Sequence, residues 1–196
     1  MLPTLLPLLQ GCFPVVATGV GAGAALVSDR RTSGTYVEDE GIEWKVSSRI
    51  RERFGNTAHI NVTSYNRNVL LTGEAPNATV RGELDAIVAG VEHVRGVINE
   101  VVVGPNSALT ARGNDTLITS NVKARFVDAG RFSAHNVKVV TEANVVFLMG
   151  IVTRAEADAA AEVARTSQGV RKVVRVFEYI SDEEARRLDN PTGARR

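Results

Sequence analysis

Cys12 is the single thiol of the chain, and it follows Leu9-Gln10-Gly11 at the end of a short apolar run from Leu2 to Leu9. An apolar core, a small residue at the cut and cysteine as the first mature residue are the grammar of a bacterial secretory signal. Leu9-Gln10-Gly11-Cys12 looks like a lipobox, in which the thiol takes up diacylglycerol before cleavage. Two acyl chains plus an acylated amine hold a folded domain stably on a bilayer, where a single chain binds only marginally. Residues 1–11 then form the signal peptide. Residues 12–41 form the acylated start and a Gly/Ala-rich linker. Met1-Leu2-Pro3-Thr4 lacks the opening Lys or Arg of such signals, so a true start upstream is expected. The competing reading is a small buried cysteine in a globular N-terminus.

Other chemistry is thin. Gly19-x-Gly21-x-Gly23 has the form of a dinucleotide-binding turn, but that fingerprint needs a βαβ unit around it, and here it reads as linker. Glu38-Asp39-Glu40 could hold a cation; a hydrated segment ahead of the first domain is the better reading. His59, His93 and His135 fall at strand or helix edges without ligand spacing, so no metal is assigned. No Ser, Cys or Lys has a paired base in view. The expectation is a non-enzymatic protein without a cofactor. Asn61, Asn77 and Asn114 open glycosylation sequons that a bacterial lipobox renders incidental. With 44% apolar and 23% charged residues the chain is globular in composition, and its net charge of +1 exerts no pull toward nucleic acid. No stretch reaches the roughly 18–20 apolar residues of a spanning helix.

The elements that could position a site emerge from a repeat. Ile60 and Val62 match Val137 and Val139, Val69-Leu70-Leu71 match Val146-Phe147-Leu148, and Gly73 matches Gly150, at a constant offset of 77. Downstream, His93–Val103 matches Gly169–Tyr179 at an offset of 76. Two units of about 65 residues therefore stand in tandem. Each is expected to open with a helix, Trp44–Arg53 in the first and Thr116–Val127 in the second. Ile118, Val122 and Phe126 recur at four-residue spacing and make one inward face, with Asn114 or Asp115 as N-cap. Two strands joined by a turn follow, then a second helix and a last strand, at Val97–Val103 and Val173–Ile180.

The fold class is thus α+β, with two small α-β-β-α-β sandwich domains at residues 42–103 and 115–180, a linker at 104–114 and a solvated, disordered tail at 181–196. Cores of that size are thin, so mutual packing is expected. Gly73 and Gly150 are assigned to strand-end turns where a side chain would not fit.

These marks resemble the BON domain: Val69-Leu70-Leu71-Thr72-Gly73 with His93-Val94-Arg95-Gly96-Val97-Ile98-Asn99, and Val146-Phe147-Leu148-Met149-Gly150 with Gly169-Val170-Arg171-Lys172-Val173-Val174-Arg175. His93 stands where the pattern has glycine, and Arg175 where it has asparagine. With the lipobox and linker, the whole is similar to the dual-BON outer-membrane lipoproteins. That resemblance implies a lipid-anchored protein on the periplasmic face of the outer membrane, supporting envelope integrity and concentrated at division sites. It also implies that the first helix of the second domain touches anionic phospholipid, phosphatidylglycerol or cardiolipin. By position those contacts are Leu117, Lys123, Phe126 and Val127.

The residues themselves leave two alternatives. Leu117, Ala124 and Val127 form a stripe beside the inward face, flanked by Lys123, and an apolar edge beside a cation suits an anionic bilayer. The same stripe could pack on the other unit, or dock a periplasmic protein partner. Periodicity places Phe126 inward, against the role that the resemblance implies for it.

Overall fold

The computed structural model describes residues 29–190; Cys12, the lipobox, the glycines at 19–23 and residues 191–196 lie outside them. The first domain runs α1 (Ser33–Phe54), β1 (His59–Tyr65), β2 (Asn68–Ala75), α2 (Ala78–Ala89), β3 (Gly96–Asn99) and β4 (Val102–Val103). The second runs α3 (Leu109–Ala129), a short 3-10 turn (Ala134–Asn136), β5 (Val137–Glu142), β6 (Val145–Val152), α4 (Arg154–Arg165) and β7 (Lys172–Tyr179), followed by α5 (Asp182–Asp189). In each sheet the middle strand pairs antiparallel with its predecessor and parallel with the closing strand.

The middle strands explain their own sequences. Val69 and Leu71 of β2 face α1 and α2, whereas Leu70 faces the other domain, where it joins Tyr65, Phe147, Met149 and Ile151 in a shared core. Val146, Leu148 and Val152 of β6 likewise face α3 and α4. A strand covered by helices on one side and by a second sheet on the other reads as a continuous apolar run rather than an alternation. The four layers are therefore helix, sheet, sheet, helix, and the two thin cores share a third between them.

Both opening helices begin earlier than expected, at Ser33 rather than Trp44 and at Leu109 rather than Thr116. The linker reading fails for its last part and for the end of 104–114 for the same reason. The inward positions of these first turns are polar, Thr35 and Asp39 in α1 and Asp115 in α3, so apolar periodicity could not report them. Asp39 is buried, not part of a hydrated segment: it accepts from Ser64 Oγ, the backbone N–H groups of Asn66 and Arg67, and Arg31 Nη1. Asp115 is not an N-cap; it accepts from the N–H groups of Ala143 and Asn144. Both turns have two successive positive φ values, at Asn66-Arg67 and Ala143-Asn144, as a type I′ hairpin requires. A helical aspartate thus holds each hairpin turn.

Residues 181–190 of the expected tail are more ordered than their composition suggested. Ser181 caps α5, Ala185 is buried, and Asp189 pairs with Arg30. Arg30 is the hub: it donates to both oxygens of Glu156, both of Asp189 and the carbonyl of Ile151. Glu156 belongs to the capping box of α4. Hydrogen bonding to Asp189 raises the Arg30 pKa further, against the opposing effect of burial. The Arg30 hydrogen bond holds the Asp189 carboxyl below its usual range. Burial would raise the Glu156 carboxyl, but Arg30 and the capping interactions lower it.

Gly73 and Gly150 lie inside β2 and β6, not at turns. Their reason is a close crossing: a Cβ at Gly73 would stand 2.0 Å from the His59 carbonyl oxygen, and one at Gly150 2.4 Å from that of Asn136. The closing strand of the first domain is broken where that of the second is continuous. Asn99 accepts from the Val101 N–H and donates to the carbonyl of Arg81, while Arg81 donates to the carbonyls of Asn99 and Val101. Those bonds interrupt the ladder at residues 100–101, between β3 and β4. Arg175 occupies the matching place in β7, makes no such turn, and pairs with Asp158.

Candidate functional site

α3 is apolar on two opposite sides. Ile118, Val122 and Phe126 are buried against β5, β6 and α4. At 100° per residue, Leu117, Ala124 and Val127 lie on the reverse side. They are exposed there, Leu117 by 70% and Val127 by 69%. Packing against the other domain therefore does not account for either side chain. Lys123 stands exposed at the margin of the stripe and makes no ion pair among the described residues; Asp128 lies at the other margin.

Phe126 corrects the set. It is 1% exposed and meets Phe132 edge to face, with ring centroids 4.9 Å apart. A ring so enclosed supports the helix from below and cannot touch a bilayer, because i and i+4 from Val122 fall on the buried side. Leu117, Lys123 and Val127 remain as surface groups.

A groove of about 490 Å³ flanks the C-terminal half of α3 at Lys123, Phe126 and Val127, with Glu40 also in its lining. Lys123 and Val127 form one wall, with His135 and Lys138 nearby, and Arg31 and Tyr36 of the first domain form the other. Arg31 is committed to Asp29 and Asp39, and Lys138 to Glu43, which leaves Lys123 as the cation able to meet an incoming anion. The chain leading back to Cys12 enters the described region at Asp29, two residues from this groove.

The first domain carries a counterpart that its sequence did not reveal. Val37 and Trp44 are 69% and 72% exposed, opposite the buried Ile42, Val46 and Ile50 of α1. The signal was present in the lone tryptophan, seven residues after Val37 on one helix face. It was hidden because α1 was expected to start at Trp44.

A polar cluster lies at the far end of the domain interface. His59 Nδ1 is 3.1 Å from Glu74 Oε2, and Asn61 and Thr72 donate to Glu142 Oε2 across the interface. Burial pushes the Glu142 carboxyl up; the Asn61 hydrogen bond pulls it back, and the charge of Glu74 adds to the rise. His59 was read as an edge histidine because its partners lie on other strands and in the other domain. Among the described residues no helix is long and apolar enough to cross a membrane.

Comparison with known proteins accounts for the repeat. The BON domain profile matches residues 38–105 and 114–181. The chain is 38% identical over 174 residues to the outer membrane lipoprotein DolP of Haemophilus influenzae, covering 88% of this chain and 90% of that protein. It is also 38% identical over 154 residues to the 21 kDa hemolysin of Actinobacillus pleuropneumoniae, covering 78% and 79%. Among solved structures, the C-terminal domain of CdsD, a structural protein of the type III secretion system of Chlamydia trachomatis, aligns with a TM-score of 0.30 and 13% identity. That alignment covers 70% of this chain and 96% of the other.

Proposed function

The chain belongs to the BON domain family and carries two such domains in tandem, and from that premise we propose that it is a lipid-anchored protein of the outer membrane whose second domain reads anionic phospholipid. Cys12 carries the acyl chains, and the domains lie on the periplasmic face. The observation that carries the reading is the second apolar side of α3, where Leu117 and Val127 are exposed beside Lys123, which has no ion pair among the described residues. Apolar area enters the headgroup boundary, and each lysine near an anionic surface contributes about 1 kcal/mol.

Two attachments divide the work. Acylation keeps the protein on the membrane, and the α3 contact selects the lipid around it. The second contact can be weak, because anchoring makes it effectively intramolecular. The segment from Cys12 to Asp29 reaches at most about 60 Å when extended, and it leads to the groove that Lys123 lines. A headgroup-selective contact gives an anchored protein a preference for bilayer regions rich in phosphatidylglycerol or cardiolipin. That preference is the physical basis for concentration at division sites and for the contribution to envelope integrity.

Vesicle flotation tests this reading with residues 29–190, which hold both domains and no Cys12. Binding is expected to vesicles containing phosphatidylglycerol and not to purely zwitterionic ones. A Leu117→Asp, Lys123→Glu double variant is expected to weaken it on the order of tenfold or more. If neither vesicle floats the protein, Cys12 is the sole membrane link. The stripe then falls to the second reading, in which the same exposed side docks a periplasmic protein.

A further inference from the structure

We propose that the two BON domains share a divalent-cation site at their interface, formed by His59, Glu74 and Glu142 and suited to Zn²⁺ or Mn²⁺. One donor atom from each residue lies within 4.8 Å of the other two. His59 and Glu74 are cross-strand partners on β1 and β2, and Glu142 reaches in from the end of β5. Two elements of one domain and one of the other thus converge on a single point.

The cluster differs from acidic groups scattered on a surface. Glu74 is 6% and Glu142 8% exposed, and neither forms an ion pair with a Lys or Arg among the described residues. Glu74 Oε2 accepts from His59 and from the Ser107 N–H, and Glu142 Oε2 accepts from Asn61 and Thr72. The other carboxylate oxygen of each accepts no hydrogen bond from any described residue. Two largely buried carboxylates so close repel, and His59 is the one side chain in the cluster with them that can carry a positive charge among the described residues. A dication removes that repulsion.

Donor chemistry selects the metal. One imidazole nitrogen with two carboxylates is a mixed N/O set, which favours Zn²⁺ or Mn²⁺ over the all-oxygen preference of Ca²⁺ and Mg²⁺. Ligand atoms about 2.1 Å from a tetrahedral ion stand about 3.4 Å apart, so separations of up to 4.8 Å need to close by at most about 1.4 Å. Asn61 and Thr72 orient Glu142 as outer-shell partners do in metal sites. A pocket of about 430 Å³ beside the cluster, lined by His59 and Glu142 and also by Asp115, Arg112 and Lys123, opens to solvent and leaves room for a water in the fourth position. Because Glu142 belongs to the second domain, the ion would staple the two together.

The test is calorimetric titration of Zn²⁺ into the full chain carrying Cys12→Ser, with Mn²⁺ as a second probe. One Zn²⁺ per chain is expected, together with a rise in melting temperature. His59→Ala and Glu142→Gln should each weaken binding at least tenfold, whereas His135→Ala, an exposed histidine away from the cluster, should leave it unchanged. His59 is partly exposed, so its variant reports even if Glu142→Gln does not fold. Absence of binding by the parent protein overturns the site, as does binding that survives His59→Ala or disappears with His135→Ala.

Discussion

The two domains have the same element order and the same helix-held turn, yet they place their exposed apolar side chains differently. On α1 the outward side bears Val37 and Trp44; on α3 it bears Leu117 and Val127. Aligned at the offset of 76, Gly41 matches Leu117, Ser48 matches Ala124 and Arg51 matches Val127. The second helix is therefore apolar at positions where the first is small, polar or charged. Inward positions agree: Asp39, Ile42, Val46 and Ile50 correspond to Asp115, Ile118, Val122 and Phe126. Duplicate domains keep what the fold requires and diverge where nothing packs, so divergence on the outer side is where separate roles are to be sought.

The turn clamps give the largest measurable contrast. Asp39 accepts four hydrogen bonds, one from the buried Arg31, whereas Asp115 accepts two backbone N–H groups. Asp39→Ala is expected to destabilise the protein by about 3–5 kcal/mol, because it removes four hydrogen bonds, one of them from the Arg31 guanidinium, which is left with Asp29 alone. Asp115→Ala should cost about 1–3 kcal/mol. Urea unfolding of both variants checks the order, and equal losses would make the clamps equivalent.

A smaller effect concerns Arg30, which ties α5 to the start of α4. Asp189 and Glu156 have lowered pKa values in the folded protein, so their stabilising contribution is present at neutral pH. It is lost as the pH falls below the ordinary values of 3.8 and 4.5 and through the lowered ones. The Asp189 side chain is 43% exposed, and solvent screening keeps its share to about 1 kcal/mol. Amide exchange should show α5 opening in acid before either sheet does, and Arg30→Met should open it already at pH 7. Protection of α5 unchanged in Arg30→Met would remove Arg30 as its anchor.

The smallest contrast lies in the loop before each closing strand. His93 has φ 68° where Gly169 has 85°, so a histidine holds a left-handed conformation that glycine adopts freely. His93→Gly is expected to stabilise the first domain by about 1 kcal/mol. Gly169→His should destabilise the second by more, because a Cβ there meets Ile118 at 3.0 Å. Thermal melting distinguishes the two signs.

Several features were legible before any coordinates. The repeat showed itself through Gly73 and Gly150 and the apolar runs beside them, and the four-residue spacing of Ile118, Val122 and Phe126 marked the buried side of α3. Exposure of Leu117 and Val127 was only half legible, since periodicity assigns a stripe without saying what covers it. The early turns of α1 and α3 were silent because polar residues face inward there. Helix α5 was silent because its composition resembles that of a solvated tail, and its anchor lies at the opposite end of the described chain.

The sequence by itself determined the duplication, the α-β-β-α-β order of each unit and the side of α3 that turns inward, because apolar periodicity is a local consequence of helix and strand geometry. Tertiary structure alone decided how the two sheets meet, that Arg30 gathers Glu156 and Asp189, and that His59, Glu74 and Glu142 share one point. Those arrangements depend on side chains far apart in the chain, and no local pattern encodes which distant partner will satisfy a buried charge.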